Sequence, residues 1–128
     1  MDSINVMRGL LVQNWVTIRS AANVPTITQG ADSWIDLGDV EDLVLFLDVR
    51  EVSGGAKMVY QTSPTKQETS FVNMLPAFSI ATGVRIDRVF ADMAAVPAAR
   101  FIRWQFSTVA ADVTFRLWCA TYAWVRTA

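Results

Sequence analysis

Residues 42–62 read DLVLFLDVREV, then SGG, then AKMVYQT, and this stretch decides the fold class. The first run is rich in Leu, Val and Phe, and the second run is also β-prone. Glycine supplies the positive φ that tight turns require, so Gly54 and Gly55 predict a β-hairpin at the centre of an all-β domain. Side chains alternate between the faces of a strand, and one face of the first run is almost purely aliphatic. We expect that face to be core: Leu43, Leu45, Leu47 and Val49.

Alternating apolar and polar residues on both sides of this hairpin predict further strands. They lie at residues 10–20, 26–28, 33–37, 71–75, 78–82, 84–90, 99–107 and 113–126. The inward faces of the first and last strands are expected to carry Val12, Asn14, Val16 and Ile18, and Val113, Phe115, Leu117 and Cys119. Residues 91–96 alone favour a helical turn, which Pro97 limits in length. About eight strands separated by turns predict an antiparallel β-sandwich, jelly-roll-like in topology.

The chain of 128 residues has the length of one domain, and no internal repeat divides it. Residues 10–128 are expected to form a single β-sandwich domain. Residues 1–9 have no clear period, and we expect an N-terminal arm that becomes ordered on a neighbouring molecule in an assembly. The early acid and the lack of an apolar h-region indicate synthesis in a cytoplasm. The longest apolar run, residues 43–47, is too short to span a bilayer.

The residue types that carry most catalysis are scarce. The sequence has no histidine, which removes the Ser-His-Asp and Cys-His arrangements and the commonest metal ligand. Cys119 is the single cysteine, so no intrachain disulfide forms, and its apolar neighbours predict a small buried hydrophobe. Nothing nominates a carboxylate pair for glycoside hydrolysis. We therefore expect no enzyme, no catalytic residue and no cofactor.

One acidic turn has two interpretations. Asp36, Asp39, Glu41 and Asp42 cluster around Gly38, and hard oxygen ligands of this kind suit calcium. The spacing D-x-x-D-x-E-D matches no EF-hand loop. Asp and Gly are also ordinary turn residues, and a solvated turn is the favoured interpretation.

Charge gives little indication of a nucleic-acid partner. The net charge is −1, and the sequence has no basic run. Several arginines nonetheless alternate with aromatic residues, which can form a platform for single strands. They are Arg85, Arg88, Arg100 and Arg103, with Phe90, Phe101 and Trp104. Neighbouring acids such as Asp87 favour cross-strand or intersubunit pairing instead, so no nucleic acid is expected as a partner.

The amino-acid composition favours a protein that is a subunit of a larger assembly. Nine of the eleven basic residues are Arg, and interfaces favour Arg, aromatic residues and Met over Lys and Glu. A GC-rich genome explains the same bias equally well. The second face of the last strand is aromatic, and either the opposite sheet or a partner covers it. The candidate interface residues are Trp15, Arg116, Trp118, Tyr122 and Trp124.

Two resemblances rest on short segments. Residues 43–52, the SGG at 53–55, residues 59–65 and Phe71 resemble small β-sandwich proteins of tailed-bacteriophage structural gene clusters, among them head-decoration, cement and neck or tail accessory subunits. Residues 96–104, VPAARFIRW, are similar to a strand of galactose-binding-like jelly rolls, although this chain lacks the cysteine pair that often ties the termini in that family. Both resemblances imply a β-sandwich.

Together these observations predict a non-enzymatic virion structural protein, a capsid decoration, cement or tail-associated subunit. Its expected partners are further copies of itself, a trimer being one option, and other virion proteins; neither a membrane nor a metal is expected to take part. It would be made in the host bacterial cytoplasm and reside in the virion. The alternative is a carbohydrate-binding, receptor-recognising sandwich in which Trp15, Trp34, Trp118 or Trp124 stacks on sugar rings. The polar loop at residues 62–69 is a further candidate contact.

Overall fold

The computed structural model describes the backbone of residues 3–19, 26–38, 42–90, 96–109 and 112–126, and the side chains of residues 9–19, 26–38, 42–90, 96–106 and 112–121. Within these residues lie ten strands: β1 (Ser3–Ile18), β2 (Ile27–Thr28), β3 (Ile35–Asp36), β4 (Asp42–Ser53), β5 (Ala56–Ser63), β6 (Val72–Asn73), β7 (Phe78–Ser79), β8 (Gly83–Val89), β9 (Phe101–Val109) and β10 (Asp112–Arg126). Two short 3-10 turns lie at Ala31–Ser33 and Glu68–Ser70. In the part of the chain described here, no helix has the length and apolar character needed to cross a membrane.

The strands form two antiparallel sheets that pack face to face. Sheet A has the order β1-β10-β4-β8. Sheet B has the order β2-β9-β5-β6, with β3 also paired to β9 and β7 to β5. If β2 and β3 are counted as one interrupted strand, and β6 and β7 as another, the order of the two sheets is that of an eight-stranded jelly roll. The predicted all-β sandwich is confirmed.

The predicted central hairpin is wrong in its pairing, although both strands exist close to the expected bounds. Strand β4 pairs with β10 and β8 in sheet A, whereas β5 pairs with β9, β6 and β7 in sheet B. The Gly54-Gly55 turn therefore carries the chain across the core from one sheet to the other. Each of the two strands therefore packs its apolar face against the sheet to which the other belongs.

The core lies between the sheets, on the faces that alternation predicts for β4, β9 and β10. In β1 the prediction holds for Val12 but is wrong for Asn14, which is exposed where irregularities interrupt the alternation. Leu43, Leu45, Leu47 and Val49 of β4 are buried. So are Val113, Phe115, Leu117 and Cys119 of β10, and Ile102, Trp104 and Phe106 of β9. Trp104, Phe106 and Phe115 meet edge to face with ring centres 5.2 to 5.8 Å apart. Such geometry places the positive ring edge on the negative ring face.

The first strand begins earlier than expected, at Ser3 instead of residue 10, so most of the predicted arm is paired with β10. Strand β4 begins at Asp42 opposite Tyr122, and residues 3–6 therefore pair with residues 123–126 as a two-stranded extension. The dependence of the arm's order on an assembly stays a prediction. Strand β1 also contains irregularities between Leu11 and Gln13 and between Gln13 and Val16. The predicted helical turn at residues 91–96 falls, except for its last residue, outside the described residues.

Candidate interaction surface

A continuous row of apolar side chains crosses the outer face of sheet A. The strand registers place Leu11 of β1 opposite Trp118 of β10, Trp118 opposite Phe46 of β4, and Phe46 opposite Ile86 of β8. We call these four residues the apolar row. Leu11 is 38% exposed, Trp118 40% and Ile86 56%, while Phe46 is half-buried. Residues directly opposite each other on one sheet face lie about 5 Å apart, so the row is one contiguous surface.

The row concentrates the exposed apolar surface of the described residues on one side of the sandwich. Among the described residues, five large hydrophobic side chains are exposed. Four of them lie on the outer face of sheet A: Leu11, Val84, Ile86 and Trp118. Val84 is 65% exposed and lies opposite Asp48, one row away from Ile86. Clustered exposed apolar residues, unlike scattered ones, mark interaction surfaces.

Arginine borders the apolar row. The Arg116 guanidinium lies 4.8 Å from the centre of the Trp15 ring and 5.9 Å from that of Trp118. Arg50 covers Trp15 at 4.2 Å. Arg116 is opposite Asp48 and contacts its carboxylate through Nη2 at 3.6 Å, which is a long ion pair. Within the described part of the chain, Arg116 Nε is buried and has no hydrogen-bond partner.

The predicted interface residues are partly brought together. Trp15, Arg116 and Trp118 share this face, and their role in an interface stays a prediction. Tyr122 and Trp124 lie in β10, but their side chains are outside the described residues. The sequence did not nominate Leu11, Phe46 and Ile86 as interface candidates, because the row exists only through the registers of four strands, most of which are distant in sequence. The alternation of Val84 and Ile86 with Arg85 and Asp87 was the one local signal.

The outer face of sheet B is different, because the chain itself covers it. Arg103 has a side chain that is only 3% exposed. Its guanidinium donates to Gln61 Oε1 at 2.8 Å, pairs with Glu68, and lies 4.0 Å from the Phe71 ring and 5.0 Å from the Trp34 ring. Trp34 itself is buried and donates its indole N–H to Gln29 O at 2.8 Å. Trp34 is therefore enclosed and has no free face on which a sugar could stack.

The polar loop expected at residues 62–69 is exposed from Pro64 onward. Thr62 and Ser63 are buried, which corrects the predicted boundary of the loop. The Thr62 hydroxyl donates to Phe101 O at 2.9 Å and accepts from the Ala99 backbone N–H at 2.8 Å. These bonds fasten the start of the loop to β9.

Three of the four arginines considered for nucleic-acid binding, Arg85, Arg100 and Arg103, contact acids of the same chain. Arg85 pairs with Asp87 at 2.8 Å and stacks on Phe78 at 3.9 Å. Arg100 pairs with Asp36 at 2.9 Å. Arg103 likewise pairs with Glu68. The expectation that no nucleic acid is a partner stays a prediction.

The acidic turn is partly engaged by the protein. The Asp36 carboxylate accepts hydrogen bonds from Arg100 and from the Gly38 backbone N–H at 2.9 Å, and these bonds hold the pKa of Asp36 below its usual range. Asp39 and Glu41 lie outside the described residues. Among the residues described, no group of three or more Cys, Asp or Glu side chains is arranged to hold a metal ion.

Two buried titratable groups lie in the core. Cys119 is buried, as predicted, and burial raises the pKa of its thiol to about 12. Tyr60 is 1% exposed, and its hydroxyl has no hydrogen-bond partner within the described part of the chain. Burial raises the pKa of Tyr60 above its ordinary value.

Comparisons with protein-family models, with curated proteins and with solved structures found no match to this chain.

Proposed function

We propose that the chain is a non-enzymatic structural subunit of a bacterial-virus particle, a capsid decoration, cement or tail-associated protein that acts through protein–protein contacts. The observation that carries this proposal is the apolar row with its arginine border. A large aromatic side chain, flanking aliphatic residues and Arg are the residue types enriched at the centre of protein interfaces. A protein partner would remove this surface from water, at a gain of roughly 25 cal/mol per Å² of apolar area.

The fold supports the particle assignment by analogy. Jelly rolls are common among viral capsid domains and also among lectins, so the topology agrees with both interpretations from the sequence. The resemblance of residues 43–71 to phage structural proteins favours the first. The chain's own loop packs around Arg103 on the outer face of sheet B. Protein contacts through the outer face of sheet A would leave that packing intact.

The proposal is tested by co-sedimentation with particles assembled from the capsid or tail proteins encoded by neighbouring genes. We expect the wild-type chain to sediment with the particles. I86D places a charge in the apolar row and should reduce binding at least about tenfold, since burying an unpaired charge is costly. V72D is the matched control, because Val72 is 50% exposed but lies in sheet B. The absence of capsid and tail genes beside this one would overturn the proposal, and so would failure of the wild-type chain to sediment with the particles.

Carbohydrate binding is the second candidate, and Trp118 is the observation that favours it. Its ring is 40% exposed on a flat sheet face next to Arg116, whereas Trp15 is covered by two arginines and Trp34 is buried. Stacking of a sugar on Trp118 would change the intrinsic fluorescence, and W118F would remove that change. Intrinsic fluorescence of the wild type that stays unchanged when each member of a broad glycan panel is added would argue against carbohydrate binding.

A further inference from the structure

We infer that the occupant of the outer face of sheet A is a second copy of the same chain, packed as a two-fold symmetric dimer. This inference rests on the proposed function and names the partner that covers this face in the free protein, before the particle binds. The evidence is the pattern of apolar and charged residues on this face, because two copies of the face are complementary to each other.

The complementarity appears when two copies meet face to face about a two-fold axis that runs along the strands between β10 and β4. Such an axis exchanges β10 with β4 and β1 with β8. It sets Trp118 opposite Phe46 of the second copy, and Leu11 opposite Ile86 of the second copy, each twice. Apolar side chains thereby meet apolar side chains along the whole row, as in the core of a two-sheet sandwich.

The neighbouring row carries the charge complementarity. Arg116 and Asp48 are opposite each other on β10 and β4, so the same axis sets Arg116 against Asp48 of the second copy. Within one copy these side chains form only the long 3.6 Å contact. The carboxylate of the second copy would give the exposed part of the Arg116 guanidinium a second ionic partner. Both side chains are about one-third exposed and can reach across the interface.

The alternative two-fold axis, perpendicular to the strands, fits poorly. It would set Asp48 against Val44 of the second copy, since these residues occupy the rows on either side of the apolar row. The Asp48 carboxylate would then face an aliphatic side chain instead of Arg116. The area of the outer face of sheet A indicates how strong the dimer should be. Four strands about 4.8 Å apart and about seven residues long present roughly 450 Å² per copy, which is less than the standard interface and points to a weak, micromolar dimer.

Sedimentation velocity of the full chain across the micromolar range tests the dimer. We expect the wild type and V72D to dimerise, and I86D to weaken dimerisation at least about tenfold. R116D alone and D48R alone should each weaken it by a similar factor, because every intermolecular contact then joins like charges.

The decisive sample is an equimolar mixture of R116D and D48R. In a mixed dimer both intermolecular contacts join opposite charges, whereas the contact within each copy remains broken. We therefore expect the mixture to form heterodimers with an affinity close to that of the wild type. A mixture that associates no better than either variant alone overturns the inference, as does a wild-type chain that is monomeric throughout the range.

Two controls keep the result interpretable. Circular dichroism and thermal unfolding show whether each variant is folded, and if R116D or D48R is not, the comparison of I86D with V72D decides the question. Monomeric wild type that still binds particles would remove the dimer and leave the proposed function standing. A wild-type chain that forms the dimer but binds no particle would confirm the dimer and overturn the proposed function.

Discussion

The guanidinium of Arg103 lies 4.0 Å from the centre of the Phe71 ring, although Arg103 belongs to the middle of a sheet and Phe71 to the loop that folds over it. Trp34 approaches the same group at 5.0 Å, and Gln61 and Glu68 satisfy its N–H donors. A positive charge is thus enclosed by aromatic faces and one carboxylate. The arrangement fastens the loop after β5 to the outer face of sheet B.

Arg103→Ala is expected to destabilise the fold by about 2–4 kcal/mol, because it leaves the buried Gln61 amide oxygen unpaired and removes the packing of two aromatic rings. Urea unfolding measures the loss. The matched control is Arg19→Ala, which breaks an ion pair to Asp112 in which the Arg19 side chain is 74% exposed. We expect the control to cost less than about 1 kcal/mol. Equal losses in the two variants would show that Arg103 acts as an ordinary surface arginine.

Phe115→Ala should be among the most damaging substitutions in the core. Phe115 is fully buried, and its ring meets Trp104 at 5.2 Å and Phe106 at 5.8 Å, so truncation leaves a cavity between the two sheets. We expect a loss of about 3–5 kcal/mol in the free energy of unfolding. Val72→Ala, at a 50% exposed site, should change stability by no more than about 0.5 kcal/mol. A small loss at Phe115 would mean that the aromatic cluster is not tightly packed.

These two sites show how far the sequence predicts the structure. Phe115 lies in a strand whose alternation is plain, and its burial follows from the pattern alone. The enclosure of Arg103 could not be predicted, because an arginine on the polar face of a strand normally points to solvent. The residues that cover it come from two loops without a period of their own.

The same distinction explains the error at the centre of the fold. Alternation identified β4 and β5 to within a residue, yet a Gly-Gly turn between two strands suits a hairpin and a crossing between sheets equally well. The choice depends on β10 and β8, which lie beside β4 and are far away in sequence. The apolar row was hidden for the same reason, since its four residues become neighbours only once the registers of sheet A are known.

Cys119 predicts a loss of stability at alkaline pH. Its thiol pKa is raised from 9.0 to about 12 in the folded chain, so between these values the unfolded state releases a proton that the folded state keeps. The stability that the protonated, buried Cys119 thiol contributes is therefore fully present below pH 9. Above pH 9, the free energy of unfolding falls by at most about 1.4 kcal/mol per pH unit.

The measurement is the difference in unfolding free energy between the wild type and Cys119→Ala from pH 8 to pH 10.5. Other titrating groups, Tyr60 included, contribute to both proteins and cancel. We expect the advantage of the wild type to shrink as the pH rises above about 9. A difference that stays constant over this range would show that Cys119 is accessible to hydroxide in the folded state.

The crossing between the sheets gives the last prediction. Gly54 has φ +86°, in the region that favours glycine, whereas Gly55 lies outside that region and has no atom within 4 Å of the position a Cβ would occupy. Gly54→Ala should therefore cost about 1 kcal/mol or more, and Gly55→Ala should be neutral or stabilise by up to about 1 kcal/mol by restricting the unfolded chain. Thermal unfolding of the two variants compares them directly. Similar losses at both positions would mean that the turn tolerates no side chain at all, and that space, not backbone conformation, selects glycine where the chain passes from sheet A to sheet B.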